Sequence, residues 1–362
     1  MNSPLLDKSV KILLFAYLTF FLLYYGKPFL VPFLIASLLA MLVLPMCARL
    51  ERKMNKALAI TISLLVLLAA ISLIIGIFAW QVSDISSRST DIQKNITEKV
   101  NEVREFATNT LGISEQKQQQ IIRQQQQSST GRLSGMISGF FSSFGSFLTD
   151  FIIVMVYIFL FLMFRAHLQR FVLKLVPKNE QGNAQTVMHD VRHVVQKYIT
   201  GLAMMIGCLW VMYGIGFTIV GVDNAIFFAI LCGLLEIVPF VGNLVGVGVT
   251  LLMTIAQGGS SSMLIGILVT YGIVQFTQTY LLEPMIVGRE ISINPVFTIA
   301  GIVGGELLWG IPGMILALPL MGIIKIVCDH IEPLKPFGYL IGEEKKEESK
   351  GIDKLKKAFK KE

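Results

Sequence analysis

Asn224 to Gln257, NAIFFAILCGLLEIVPFVGNLVGVGVTLLMTIAQ, is an apolar stretch interrupted at its centre by Leu234-Leu235-Glu236-Ile237-Val238-Pro239-Phe240-Val241-Gly242-Asn243. Pro239 has no backbone N–H to donate, and it disfavours the α conformation at Val238. Two short helices flanking a break therefore fit better than one straight span. In lipid, the backbone groups freed at such a break need partners from protein or from a water-lined cavity, so broken intramembrane helices tend to mark transport sites. Glu236 is the stretch's one carboxylate.

The composition around this stretch sets the class. Hydrophobic residues make up 54% and charged residues 15%, and the mean hydropathy is +0.67. Several apolar runs reach the roughly 18 to 20 residues that a helix needs to cross the hydrocarbon core, so the expectation is an all-α polytopic membrane protein. The net charge of +7 is no nucleic-acid signal, because Lys and Arg gather in short segments between spans and in the tail. Cys47, Cys208, Cys232 and Cys328 lie in or beside apolar runs without metal-ligand or paired spacing and read as small apolar residues.

Upstream, Ile12–Tyr25 and Phe29–Cys47 flank the breaker Gly26-Lys27-Pro28 and form a hairpin. The loop after it carries Arg49, Arg52, Lys53 and Lys56 against Glu51, which places it in the cytoplasm. Ala57–Trp80 exits, completing an N-terminal region of three spans, residues 1–80. Residues 81–139 form a polar extracytoplasmic insert. Ile92, Ile96, Val100, Val103 and Phe106 recur there at helical spacing, ahead of a glutamine-rich patch. A fourth span, about Phe147 to Phe164, leads into a second basic segment, and Ile199–Val220 crosses back. His189 and His193 stand four apart, but without a third ligand no metal site is expected.

Downstream, Met263–Leu282 is followed by Glu283, Arg289 and Glu290, expected as an ion-pair network at the cytoplasmic boundary. A last apolar block, 296–328, is broken at Trp309-Gly310-Ile311-Pro312-Gly313. The break echoes the first, Leu234-Leu235-Glu236-Ile237-Val238-Pro239 aligning with Leu307-Leu308-Trp309-Gly310-Ile311-Pro312. Each broken block follows an intact span, and the basic loops give those spans opposite directions. The expectation is about eight membrane elements, including two broken or re-entrant hairpins (224–257 and 296–328) in an inverted-repeat-like arrangement. Residues 140–330 form the transport core, and 331–362 a lysine-rich cytoplasmic tail. Both termini are then cytoplasmic, in a multi-pass protein of the inner (plasma) membrane.

The runs GLLEIVPFVGNLVGVGV and YLLEPMIVGREISINPVFTIAGIVGGELLWGIPGMILALPLMGIIKIV resemble the signature regions of the autoinducer-2 exporter family, also called PerM-type permeases. The likeness rests on E-x-x-P-x-x-G at Glu236–Gly242, E-P-x-x-x-G at Glu283–Gly288, and G-x-x-G with an A-x-P ending from Gly310 to Pro319. It implies a secondary transporter. Family members are associated with export of the signal autoinducer-2, others with sodium or lithium/proton antiport. The resemblance also implies a homo-oligomer, a pentamer, while the glutamine-rich insert lies outside the signature.

A carboxylate near mid-membrane costs about 2.5 to 3.5 kcal/mol on insertion scales, so Glu236 and Glu306 need partners or a wet cavity. Desolvation favours the protonated form of a carboxylate, and an arriving cation favours proton release, the competition that an antiporter requires. Each glutamate is thus a candidate proton or cation carrier, or a hydrogen-bond partner for the backbone at its own break. Pro239 and Pro312 make the breaks, and Gly242 and Gly313 permit close backbone approach. Asn243, Gln275 and Gln278 offer neutral donors and acceptors to a hydroxylated solute, or bond helix to helix.

The leading expectation is a transporter exporting a small polar solute, with proton coupling. The alternatives are a sodium or lithium/proton antiporter and a non-transporting membrane scaffold. The partners expected are the solute or a monovalent cation, protons and membrane lipid, with no nucleic acid and no cofactor. No H-E-x-x-H, G-x-S-G or G-x-G-D pattern points to an intramembrane enzyme.

Overall fold

Backbone groups in hydrocarbon must be satisfied within their own segment, and the long apolar runs accordingly become helices. The computed structural model describes residues 4–87, 150–238, 241–287 and 293–343. Most of the insert, Pro239, Phe240, Arg289, Glu290 and the lysine-rich residues 344–362 lie outside them. Five long helices come first: α1 (Pro4–Tyr25), α2 (Lys27–Leu50), α3 (Lys56–Ser87), α4 (Asp150–Leu175) and α5 (Gln181–Val220). The hairpin α6 (Ala225–Leu235) and α7 (Val241–Ala256) follows, then α8 (Ser261–Thr277), which continues as a π-helix over Gln278–Val287. A second hairpin pairs α9 (Pro295–Trp309) with α10 (Ile311–His330), and the short α11 (Lys335–Ile341) closes the described chain. Seven described segments have the length and apolarity to cross a membrane. The protein is an all-α polytopic membrane protein.

The chain divides into two compact units. The first comprises residues 1–169 and 199–288, the second 170–198 and 289–362. In the first, Ala36, Ala40, Val43 and Cys47 form one face of α2 and pack with Ala59 and Ile60 of α3 and Val154, Ile158 and Leu162 of α4. The small alanines let the helix backbones approach where lipid offers no hydrophobic drive of its own. At the end of this bundle Arg165 forms an ion pair with Glu51, and Lys56 Nζ donates to the Met163 carbonyl. A second core gathers Leu209, Tyr213 and Phe217 of α5, Phe228 and Cys232 of α6, Val247 of α7, and Ile267 and Val274 of α8.

The break in the opening stretch is compact. Ile237 N–H donates to Leu234 O at 3.1 Å, Val238 N–H to Leu235 O at 2.9 Å, and Gly242 N–H to Val238 O at 3.0 Å. A Cβ at Gly242 would collide with the Leu235 carbonyl, so only glycine lets α7 start against the end of α6. A Cβ at Gly246, one turn on, would likewise come within 3.0 Å of the Cys232 Cα. With 11 residues, α6 rises about 16 Å, roughly half the hydrocarbon thickness of about 30 Å. This favours a helix that enters and turns back over one that crosses.

In the second unit, Asn294 caps α9 by accepting from Val296 N–H at 2.9 Å, with Pro295 at the first helical position. The turn between α9 and α10 is made by Gly310 at φ 69° and ψ −146°, a conformation open to glycine. Pro312 falls in the first turn of α10, where its missing N–H costs no helical bond. Gly305 and Gly313 abut backbone to backbone, each occupying the space that the other's Cβ would need. The stretch expected as a tail begins instead as structure. After a 3-10 turn at Glu332–Leu334, α11 folds back so that Gly338 lies against Asp329, and Asn294 N–H donates to Ile341 O at 2.8 Å.

Candidate functional site

Three helices of the first unit bring their polar residues to the break. From α5, the Tyr213 hydroxyl donates to Asn243 Oδ1 at 2.7 Å; Asn243 stands in the first turn of α7. Asn243 Nδ2 donates in turn to Gln275 Oε1 at 2.5 Å, and Gln275 Nε2 to Thr279 Oγ1 at 3.3 Å, both on α8 and its π-helical continuation. Beside this chain, Gln278 Nε2 donates to Glu236 Oε1 at 2.7 Å. Tyr213 is fully buried, and Asn243 and Gln278 are 6% and 5% exposed.

The structure thus brings four of the five expected solute- or ion-coupling residues together: Glu236, Asn243, Gln275 and Gln278. Gln275 and Gln278 lie three apart, close enough for both to face the break. The carboxylate of Glu236 meets a side-chain amide rather than the backbone at its own break. Glu306 is the exception. It lies on α9, in the second unit, with its side chain exposed, and its carbonyl accepts from Gly310 N–H at 2.7 Å. Glu283 is exposed in the middle of the π-helical segment; its expected partners Arg289 and Glu290 fall outside the described residues.

Tyr213 escaped the sequence reading. Its signal was there: with Leu209 and Phe217 it forms an i, i+4, i+8 stripe on α5. A tyrosine on a buried stripe carries a hydroxyl that must find a partner.

Two buried oxygens of the cluster receive no hydrogen bond from the described residues, Glu236 Oε2 and Gln278 Oε1. They belong to the two side chains already joined by the Gln278–Glu236 bond. Each unmet buried acceptor costs about 1–3 kcal/mol, and more if charged. The arrangement can therefore accept a donor, whether a proton, an N–H or O–H of a solute, or a bare cation. Among the described residues no group of His, Cys, Asp and Glu side chains could hold a metal ion.

A bundle of membrane-crossing helices with a broken hairpin, and a buried polar cluster at the break, defines a polytopic membrane protein of transporter architecture. Residues 12–332 match the family described as AI-2E family transporter, and the chain belongs to that family. It is 29% identical over 163 residues to YrrI of Bacillus subtilis, whose name marks it as a candidate transport protein, covering 45% of this chain and 46% of that one. A similarly named protein of Borreliella burgdorferi is 24% identical over 43% of each chain. Another, of Methanothermobacter thermautotrophicus, is 22% identical over 42% of this chain and 45% of its own. The chain spans under half the length of these curated relatives.

Proposed function

We propose that the protein is a secondary transporter that exports a small polar solute across the inner membrane, with Glu236 as the group that takes up and releases a coupling proton. The observation that carries this reading is the pair of unmet buried oxygens, Glu236 Oε2 and Gln278 Oε1, at a broken intramembrane helix. Neutral amides and hydroxyls make up the rest of the cluster, groups suited to an uncharged, hydrogen-bonding cargo. Family membership supports transport as such. The basic residues of the Arg49–Lys56 loop support a cytoplasmic position for that loop, and hence for both termini.

A second reading is sodium or lithium/proton antiport, favoured by the same two oxygens, since carboxylate and amide oxygens are the ligands that hard cations take. Flux into proteoliposomes of the purified protein, measured with a panel of small polar solutes under separately imposed pH and sodium gradients, separates the two. Solute movement driven by the pH gradient alone supports the leading reading. Sodium or lithium exchanged for protons without solute supports the second, and no movement of any species under either gradient leaves a scaffold.

A further inference from the structure

The two unmet oxygens have complementary needs in only one protonation state of Glu236. Ionised, both are acceptors, and neither can supply the hydrogen that the other lacks. With a proton on Oε2, the carboxyl group becomes a donor there while still accepting at Oε1. An amide and a carboxylic acid then match at both positions, N–H to carbonyl oxygen and O–H to carbonyl oxygen. The existing Gln278 Nε2 to Glu236 Oε1 bond, 2.7 Å long, is one half of that match, and the two unmet atoms, one on each of the same side chains, are those that the other half would use.

We propose that Glu236 and Gln278 form a protonation-controlled latch, closed as a two-bond acid–amide pair when Glu236 carries a proton and reduced to one bond when the proton leaves. The proton comes from the aqueous phase onto Oε2 and returns to it, and no other bond is made or broken. The latch rests on the transporter reading of this site and deepens it by naming Gln278 as the positioning partner that holds the proton in place.

The latch joins two different elements. Glu236 follows the short α6, and Gln278 opens the π-helical part of α8. Such π segments recur at functional sites in helices. Pro284 inside it has no N–H to return the segment to regular bonding. Among the described residues, the ionisable groups acting electrostatically on Glu236 or feeling its charge are Tyr213 of α5, Cys232 of α6 and Glu283 of the π-helical segment. All three are neutral or negative, so none holds the carboxylate ionised as a basic partner would. Asn243, Gln275 and Thr279 line the neighbouring chain of neutral bonds.

Infrared difference spectroscopy of the full-length protein in lipid, titrated by pH, tests the latch without any cargo. The expected result is a carboxylic C=O band that grows as pH falls, is missing in Glu236→Gln, and shifts to higher frequency in Gln278→Leu, where its partner is lost. The exchanged pair Glu236→Gln with Gln278→Glu keeps one acid facing one amide and should restore the band; it serves as the second variant if Gln278→Leu does not fold. Absence of a band assignable to Glu236, a band indifferent to pH, a band unmoved in Gln278→Leu, or a band that the exchanged pair fails to restore would overturn the latch. Failure of solute flux would instead count against the transporter reading and leave this spectrum unaffected.

Discussion

Removing the phenolic oxygen in Tyr213→Phe leaves the Asn243 carbonyl buried with no donor. The loss of a buried partner costs about 1–3 kcal/mol, and thermal unfolding in lipid nanodiscs should show a destabilisation of that size. The effect extends beyond stability, because the hydroxyl fixes which way the Asn243 amide points and through it the amide of Gln275. Solute flux should therefore fall in Tyr213→Phe by more than the loss of folded protein accounts for. Flux that merely tracks folded protein would make Tyr213 a packing residue. Gln275→Ala gives the complementary case. It removes the acceptor of the Asn243 amide, and the reduction in flux should persist when the protein remains as stable as the parent.

At the scale of elements, the two hairpins are held by glycine, and the positions can be told apart. Gly242 lies against the Leu235 carbonyl, and Gly305 and Gly313 against each other, whereas a Cβ at Gly248 of α7 or Gly304 of α9 meets nothing within 4 Å. Alanine at 242, 305 or 313 should destabilise the protein by about 1–3 kcal/mol through overpacking. Alanine at 248 or 304 should be neutral or stabilising by about 0.5–1 kcal/mol, because glycine inside a helix is itself unfavourable. Equal unfolding temperatures across both sets would contradict the crossings described. Gly242 and Gly313 were legible as close approaches from their places beside Pro239 and Pro312. Gly305 was not. Its role depends on which face of α9 meets α10, which the uniformly apolar sequence around it does not encode. For the same reason Gly310, rather than Pro312, carries the second turn: a positive φ leaves no mark in hydropathy.

For the whole molecule, composition and run lengths made the all-α polytopic class legible, because a helix's crossing length and its need for internal hydrogen bonds are set by the bilayer. The cluster was mostly legible too, since Glu236, Asn243, Gln275 and Gln278 are polar interruptions in apolar runs. Their assembly was not, because it depends on tertiary contacts between α5, α7 and α8. Topology belongs to this scale as well. In a background lacking native cysteines, Lys53→Cys and His167→Cys should react with an impermeant maleimide only from the cytoplasmic side, and Asp223→Cys only from the opposite side; all three parent residues are exposed. Labelling of the 53 and 167 positions from outside would invert the orientation proposed from the basic loops.

The proposal as a whole turns on Glu236 as the coupling group, and the most direct measurement compares two kinds of flux in proteoliposomes made with wild-type protein and with Glu236→Gln. The glutamine keeps the shape and can still pair with Gln278, but it cannot exchange a proton. Uptake driven by a pH gradient should be abolished in the variant, while exchange of labelled for unlabelled cargo at equal pH continues. Undiminished pH-driven uptake in Glu236→Gln would contradict the account.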